Sequence, residues 1–280
     1  MGQLLIYNGN NAKAHVLLRE AARYILASGG EISGSAEGYS IDDLQREDFC
    51  FPSACSNALI FGGDGTILAA VRHLAPLGIP VCGVNMGRVG FLSSLEKEEL
   101  LPGIDSLLQG NYTVESRMMI HCRVQRAGQI VAEYEAFNDF VVRSGELSRA
   151  ISYSLFIDQQ KVNDYMADGI IVSTPTGSTG YSLSAGGPIV QNDIRILLIT
   201  PVCAQPFFSC SIVASPESKV EILCSGEADR PSLTADGQSC FSLQLHDRLL
   251  LSVAKQPAAI VSIRPENYFA RIRKKLYRSR

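Results

Sequence analysis

The sequence predicts a parallel α/β unit followed by a mostly β unit. Up to residue 112, buried apolar runs alternate with helical patterns. From 114 to 261 the chain breaks into short β-rich runs joined by turn residues. A last segment, PENYFARIRKKLYRSR, is helical again and returns to the first unit. The expected division is therefore 1–113, completed by 262–280, and 114–261. Strand–helix–strand alternation is the pattern of a parallel sheet with helices packed on it, because parallel neighbours need a crossover.

Each element has its own signal. LLIYN (4–8) reads as a buried strand, and AKAHVLLREAARYILASGG as a helix closed by Gly29 and Gly30. NALIFGG (57–63) is a second strand that runs straight into glycine. TILAAVRHLAPLG (66–78) is a helix stopped by Pro76 and Gly78, IPVCGVN (79–85) a third strand, and KEELLPGIDSLLQG (97–110) a further helix. Beyond Tyr112, runs such as ISYSLFIDQQKVNDY, SKVEILCSG and CFSLQLHDRLLLSVAK are short and β-rich, too short for ordinary helices.

Bulk properties exclude several classes. A chain of 280 residues with 46 % hydrophobic and 19 % charged residues buries a proper core and is not disordered. The net charge of −3 gives no global attraction to nucleic acid or membrane. The cations near the end, Arg271, Arg273, Lys274, Lys275, Arg278 and Arg280, read as a solvated helix end with charges that suit the dipole, or as a phosphate-binding tail. Eight cysteines show no CxxC spacing and few histidines accompany them, which argues against a zinc site. No signal peptide or membrane span is apparent, so a reduced cytoplasmic setting is expected.

Four segments can carry chemistry. GGDGT places Gly62, Gly63, Asp64, Gly65 and Thr66 between a buried strand and a helix. Unpaired N–H groups and the helix dipole favour phosphate there, and glycines allow close approach. A carboxylate at such a spot needs a reason: accepting a proton from an attacking hydroxyl, or holding a metal ion. In isolation the segment is also an Asp-Gly turn. NMGRVGFLSS, with Asn85, Gly87, Gly90 and Phe91, follows the third strand and so shares the carboxyl edge of the sheet, where open α/β sheets bind ligands. FNDFVV carries Asn138 and Asp139, suited to ribose or amide hydrogen bonds. DGIIVSTPTGSTGYSLSAGGP (168–188) runs from an apolar strand into hydroxyls and glycines. It would bury little apolar area, while Thr174, Thr176, Ser178, Thr179, Ser182 and Ser184 would serve phosphate and ribose oxygens, and the Tyr181 ring would stack on a base.

Residues 60–92 and 138–188 closely resemble the NAD kinase family, with all four segments in family order and weaker similarity through LTADGQ (233–238). The resemblance implies a Rossmann-like α/β N-terminal domain, a C-terminal domain of β-sandwich type, and an active site between them. It implies phosphoryl transfer from ATP, or another donor, to the 2′-hydroxyl of the adenosine ribose of NAD, giving NADP. A divalent metal, Mg²⁺ above all, would accompany it. Asp64 matches the family's proton acceptor, with Gly65 beside it. Asn138 and Asp139 match the pair that binds ribose and base, and Asp168 an acid on the nicotinamide side. Thr179, Gly180, Tyr181, Ser182 and Ser184 match the loop around the adenosine. Arg149 matches a ligand contact sometimes supplied by a neighbouring subunit, and Gln238 a polar contact near the C-terminal strands. Gly62, Gly63, Thr66, Asn85 and Gly87 would form the phosphate loops. A homodimer or homotetramer is implied, with no nucleic-acid or membrane partner.

Two departures stand out. Met166 replaces a basic residue common in relatives, and Gln205 stands where a histidine is usual. A lipid kinase shares GGDGT but favours a different second motif, and a non-catalytic NAD(P)-binding regulator on the same scaffold is a further reading.

Overall fold

The computed structural model describes residues 2–46, 48–52, 54–86, 90–144, 150–204, 209–226, 231–264 and 267–276. They fall into two compact units, Met1–Ser116 with Ala258–Arg280, and Arg117–Pro257.

The first unit is built on β1 (Gly2–Tyr7), β2 (Tyr39–Ser40), β3 (Cys55–Gly62), β4 (Val81–Asn85), β5 (Ser93–Leu95), β6 (Thr113–Arg117) and β19 (Ala258–Ser262). The sheet order is β2-β1-β3-β4-β19-β6, with β5 paired to β4. The pairs β1–β2, β1–β3, β3–β4, β4–β5 and β4–β19 are parallel. Interior parallel strands are covered on both faces, which is why they read as continuous apolar runs rather than alternating ones. Leu4, Leu5 and Ile6, and Ala58 through Phe61, are fully buried. One face is covered by α1 (Ala12–Ala27) and α3 (Leu100–Leu108), while α2 (Asp64–Leu74) packs on β3 and β4. Asn11 caps α1 by accepting the Lys13 N–H, and Gly29 leaves it at φ 78°. Helix α2 begins two residues earlier than its apolar pattern, at Asp64, and gives way at Ala75 to a tighter turn closed by left-handed Gly78. Tyr7 is level with Phe61, and Gly62 with Asn85, so the strand ends present Asn8, Asp64 and the segment after Asn85 along one edge.

The second unit comprises β7 (Ile120–Arg126), β8 (Gln129–Ala136), β9 (Asp139–Ser144), β10 (Ile151–Ile157), β11 (Gln160–Ala167), β12 (Gly169–Ser173), the short α4 (Tyr181–Ser184), β13 (Leu197–Val202), β14 (Ile212–Ala214), β15 (Val220–Cys224), β16 (Pro231–Ala235), β17 (Ser239–Ser242) and β18 (Arg248–Val253). Two antiparallel sheets, β11-β10-β15-β18-β7-β8 and β14-β13-β12-β9-β16-β17, enclose one core. Successive side chains of a strand point to opposite faces. On β9, Phe140 and Val142 enter the core, as do Leu233 and Ala235 on β16. Asp139, Val141 and Arg143, with Thr234, line a pocket instead. The expected α/β unit followed by a β-sandwich is what the chain forms.

The last helix, α5 (Tyr268–Leu276), belongs to the first unit. Cys82, Cys122 and Cys224 are buried, and burial pushes the Cys82 and Cys224 thiols up to about 12, so they act as small hydrophobes. No helix among the described residues is long and apolar enough to cross a membrane.

Ile170 is fully buried between the two sheets of the second unit. Ile170→Ala is expected to cost about 2–5 kcal/mol through lost burial and a residual cavity, read as a lower urea midpoint for the second unit.

Candidate functional site

In the first unit the site is a strand–turn–helix junction. β3 is apolar to its end, and Gly62 then lies against Thr66, whose Oγ1 would be 2.5 Å from an added Cβ. Gly63 caps α2 in extended conformation, is exposed, and has open space where a Cβ would stand. Packing therefore demands the first glycine, while the second leaves room for an approaching group. Asp64 opens the first turn of α2, where the dipole favours its negative charge, and Arg72 and His73 occupy the opposite end.

The Asp64 carboxylate is held from the loop after β4. The Phe91 N–H donates to Oδ2 at 2.8 Å and the Leu92 N–H to Oδ1 at 3.2 Å. Gly90 is needed beside them, because a Cβ there would lie 2.1 Å from Oδ1. Asn8, after β1, donates to Thr66 Oγ1 at 3.3 Å. Asn85 is buried and donates to Glu96 Oε2 at 2.8 Å, so it anchors the loop rather than facing outward. Gly87 lies outside the described residues.

In the second unit a pocket of about 290 Å³ is lined by Asn138, Asp139, Arg143, Tyr181, Thr234 and Asp236, with Val141 and Gly237. Its organising group is Asp236, a buried residue in left-handed conformation (φ 51°) after β16. Its Oδ2 accepts the Phe137 N–H at 3.1 Å, and its Oδ1 accepts those of Asn138 and Asp139 at 2.7 and 3.2 Å. Among the described residues, the buried Asn138 Oδ1 has no hydrogen-bond partner. Asp139 is buried 5 % exposed, and burial, then the Asp236 charge, push its carboxyl from the usual 3.8 up to about 7.

The hydroxyl run corrects the expectation that it serves ligands throughout. Thr174 and Ser178 are fully buried and donate to the Phe137 and Pro175 carbonyls at 2.7 and 2.6 Å. Thr179 donates to the Thr176 carbonyl at 3.2 Å, and buried Ser182 shares a hydrogen bond with Thr200 at 2.9 Å. The hydroxyls fold a compact loop against Asn138, and Gly177 is there because a Cβ would strike the Asn138 carbonyl at 2.1 Å. Tyr181, 45 % exposed, and exposed Ser184 remain on the surface, with Gly180 half-buried. Asp168 is exposed near Cys203, and Gln238 is exposed one residue beyond the pocket. Arg149 and Gln205 lie outside the described residues, and Met166 is exposed on β11.

The ATP-NAD kinase N-terminal domain model matches residues 5–112, and the ATP-NAD kinase C-terminal domain model matches 137–263. The chain belongs to the NAD kinase family. It is an enzyme of that family, whose reaction is phosphorylation of NAD to NADP. The NAD kinase of Carboxydothermus hydrogenoformans is 38 % identical over 218 residues, 78 % of each chain. That of Caldanaerobacter subterraneus is 37 % identical over 277 residues, 97 % of each. Among solved structures, an Archaeoglobus fulgidus NAD kinase in complex with ATP superposes with a TM-score of 0.75 at 25 % identity, over 99 % of both chains. Yeast NADH kinase complexed with NADH shares the fold, with a TM-score of 0.83 at 21 % identity over 100 % of this chain and 88 % of that one. NAD kinase membership sets aside the lipid-kinase reading of GGDGT.

Thr234 and Asp236 were visible in the sequence only within the weak LTADGQ similarity, and Asn8 and Arg143 carried no signal. Because the folded Asp139 holds its proton to about pH 7 and the unfolded one only to about 3.8, its contribution to stability is complete below 3.8 and is lost as pH rises through 7. Urea midpoints of wild type against Asp139→Asn, taken at pH 5 and pH 8, should show a smaller fall between the two pH values in the variant.

Proposed function

We propose that Asp64 is the general base of the family reaction and that the Asn138–Asp139 pocket holds the nucleotide. The 2′-hydroxyl oxygen of the adenosine ribose attacks the γ-phosphorus of ATP. The new O–P bond forms as the bond to the β-phosphate oxygen breaks, ADP leaves with that electron pair, and Asp64 takes the hydroxyl proton. The observation that carries this is the fixed carboxylate: two backbone amides hold its oxygens beside a glycine with open space. The ATP found with the Archaeoglobus fulgidus enzyme supports ATP as donor.

The pocket chemistry supports a nucleoside. The buried Asn138 Oδ1 lacks a donor and suits a ribose hydroxyl or a base amine. Ionised Asp139 accepts hydroxyls, and the exposed Tyr181 ring offers a stacking face. Gly180 and Ser184 extend that wall, while Thr179 and Ser182 shape it from within. Asp168 would serve the nicotinamide end, with Gln238 and Arg149 as outer contacts. Gly65, Gly62, Gly63 and Thr66 form the turn that faces the phosphates.

Among the described residues no three His, Cys, Asp or Glu side chains group as a metal cage. Mg²⁺ bound with a triphosphate would take one or two protein carboxylates at most, and Asp64 is the one within GGDGT. Such an ion would neutralise charge on the phosphates.

Asp64→Asn should keep the fold by circular dichroism and lower NADP formation by about 10²–10⁴, the usual share of a positioned base. Near-normal turnover contradicts the role. Chelation with EDTA should stop turnover, and added Mg²⁺ should restore it; turnover that persists in EDTA removes the metal from the proposal.

A further inference from the structure

Helix α5 reaches the catalytic loop. Its start is fixed by Asn267, whose Oδ1 accepts the N–H groups of Phe269 and Ala270 at 2.9 and 3.4 Å. Ile272 is buried, which anchors the helix to the first unit. The neighbouring Arg271 donates from Nη1 to the Phe91 carbonyl at 3.3 Å.

That carbonyl is not a neutral handhold. The Phe91 C=O and the Leu92 N–H are the two ends of one planar trans peptide, and they point in opposite directions. The Leu92 N–H is the group that donates to Asp64 Oδ1. A guanidinium on the carbonyl therefore sets the plane of the peptide whose other end holds Asp64. It also polarises that peptide, because a charged donor at C=O strengthens the N–H as a donor. The Phe91 N–H, one bond upstream, holds Oδ2. A Cβ at Gly90 would lie 2.1 Å from Asp64 Oδ1, so the loop packs closely on the carboxylate.

We propose that Arg271 is a positioning residue for phosphoryl transfer, acting on Asp64 through the Phe91–Leu92 peptide. The proposal rests on the reading of Asp64 as base. Arg271 acts through that peptide and sets the direction of the oxygen that receives the proton. A general base works only when aimed, and a misplacement near 1 Å costs on the order of 10²-fold in rate. Arg271 also forms part of the wall of a pocket of about 360 Å³ with Ser93, Glu96, Glu99, Arg264 and Lys274, wide enough to admit a free guanidinium ion.

The test compares Arg271→Ala and Arg271→Lys with Arg273→Ala, an exposed cation on the same helix. Arg271→Ala should lower kcat about 10–100-fold with KM for NAD and ATP within about threefold of wild type. Arg273→Ala should leave both unchanged. Arg271→Lys should recover part of the rate, since it returns the charge without the planar fork. Guanidinium chloride at tens of millimolar should raise kcat of Arg271→Ala severalfold and leave Arg273→Ala unmoved, a response that a merely structural role does not give. In an Asp64→Asn background, Arg271→Ala should cause no further loss. The same fold-loss in both backgrounds, absence of rescue, or an Arg271→Ala rate equal to that of Arg273→Ala overturns the proposal. Failure of the underlying reading is seen separately, as near-normal turnover of Asp64→Asn alone.

Discussion

The Asp64 carboxylate accepts two backbone N–H groups from a loop that begins only after the next strand. That pair of bonds ties together the features around it. It requires Gly90, since any side chain there collides with Oδ1. It requires β3 and β4 to end level, so that the turn after one meets the loop after the other. It uses the positive end of α2, which favours a negative group in its first turn. The continuous apolar strands beneath exist to fix that edge, and the buried Asn85–Glu96 hydrogen bond anchors the loop from below.

The second unit solves a similar problem with the opposite material. There a buried carboxylate, Asp236, gathers three consecutive backbone N–H groups and so bends the chain at Phe137–Asp139 into the pocket wall. Its own burial, and then the Asp236 charge beside it, raise the Asp139 carboxyl to about 7. A group titrating there is ionised on the alkaline side, where both oxygens only accept, and protonated on the acid side, where one becomes a donor. The wall of the pocket is held by hydroxyls bonded inside the loop, such as Thr174, Ser178 and Ser182.

What could be read from the sequence was whatever depends on local spacing. The parallel strands were visible as apolar runs, and GGDGT as a strand-to-helix turn with one carboxylate. The 168–188 run was visible as a loop too polar for a core. Its use was not, because a threonine that donates to a carbonyl 37 residues away looks the same as one that donates to a ligand. The hydrogen bond from Asn85 to Glu96 is likewise invisible to local spacing. Asp236 and Arg271 act through bonds spanning 98 and 180 residues, which no local pattern reports. The Asp-Gly pair at 236–237 was the one hint, since both residues tolerate left-handed backbone.

In the proposed reaction Asp64 would move a proton and the Asn138–Asp139 pocket would bind. Titration calorimetry of NAD into Asp64→Asn, paired with the single-turnover rate of the same protein, separates the two. NAD affinity within about threefold of wild type, with the chemical step collapsed, is the predicted result. Affinity lost in proportion to rate would mean that Asp64 serves binding, and would contradict the account.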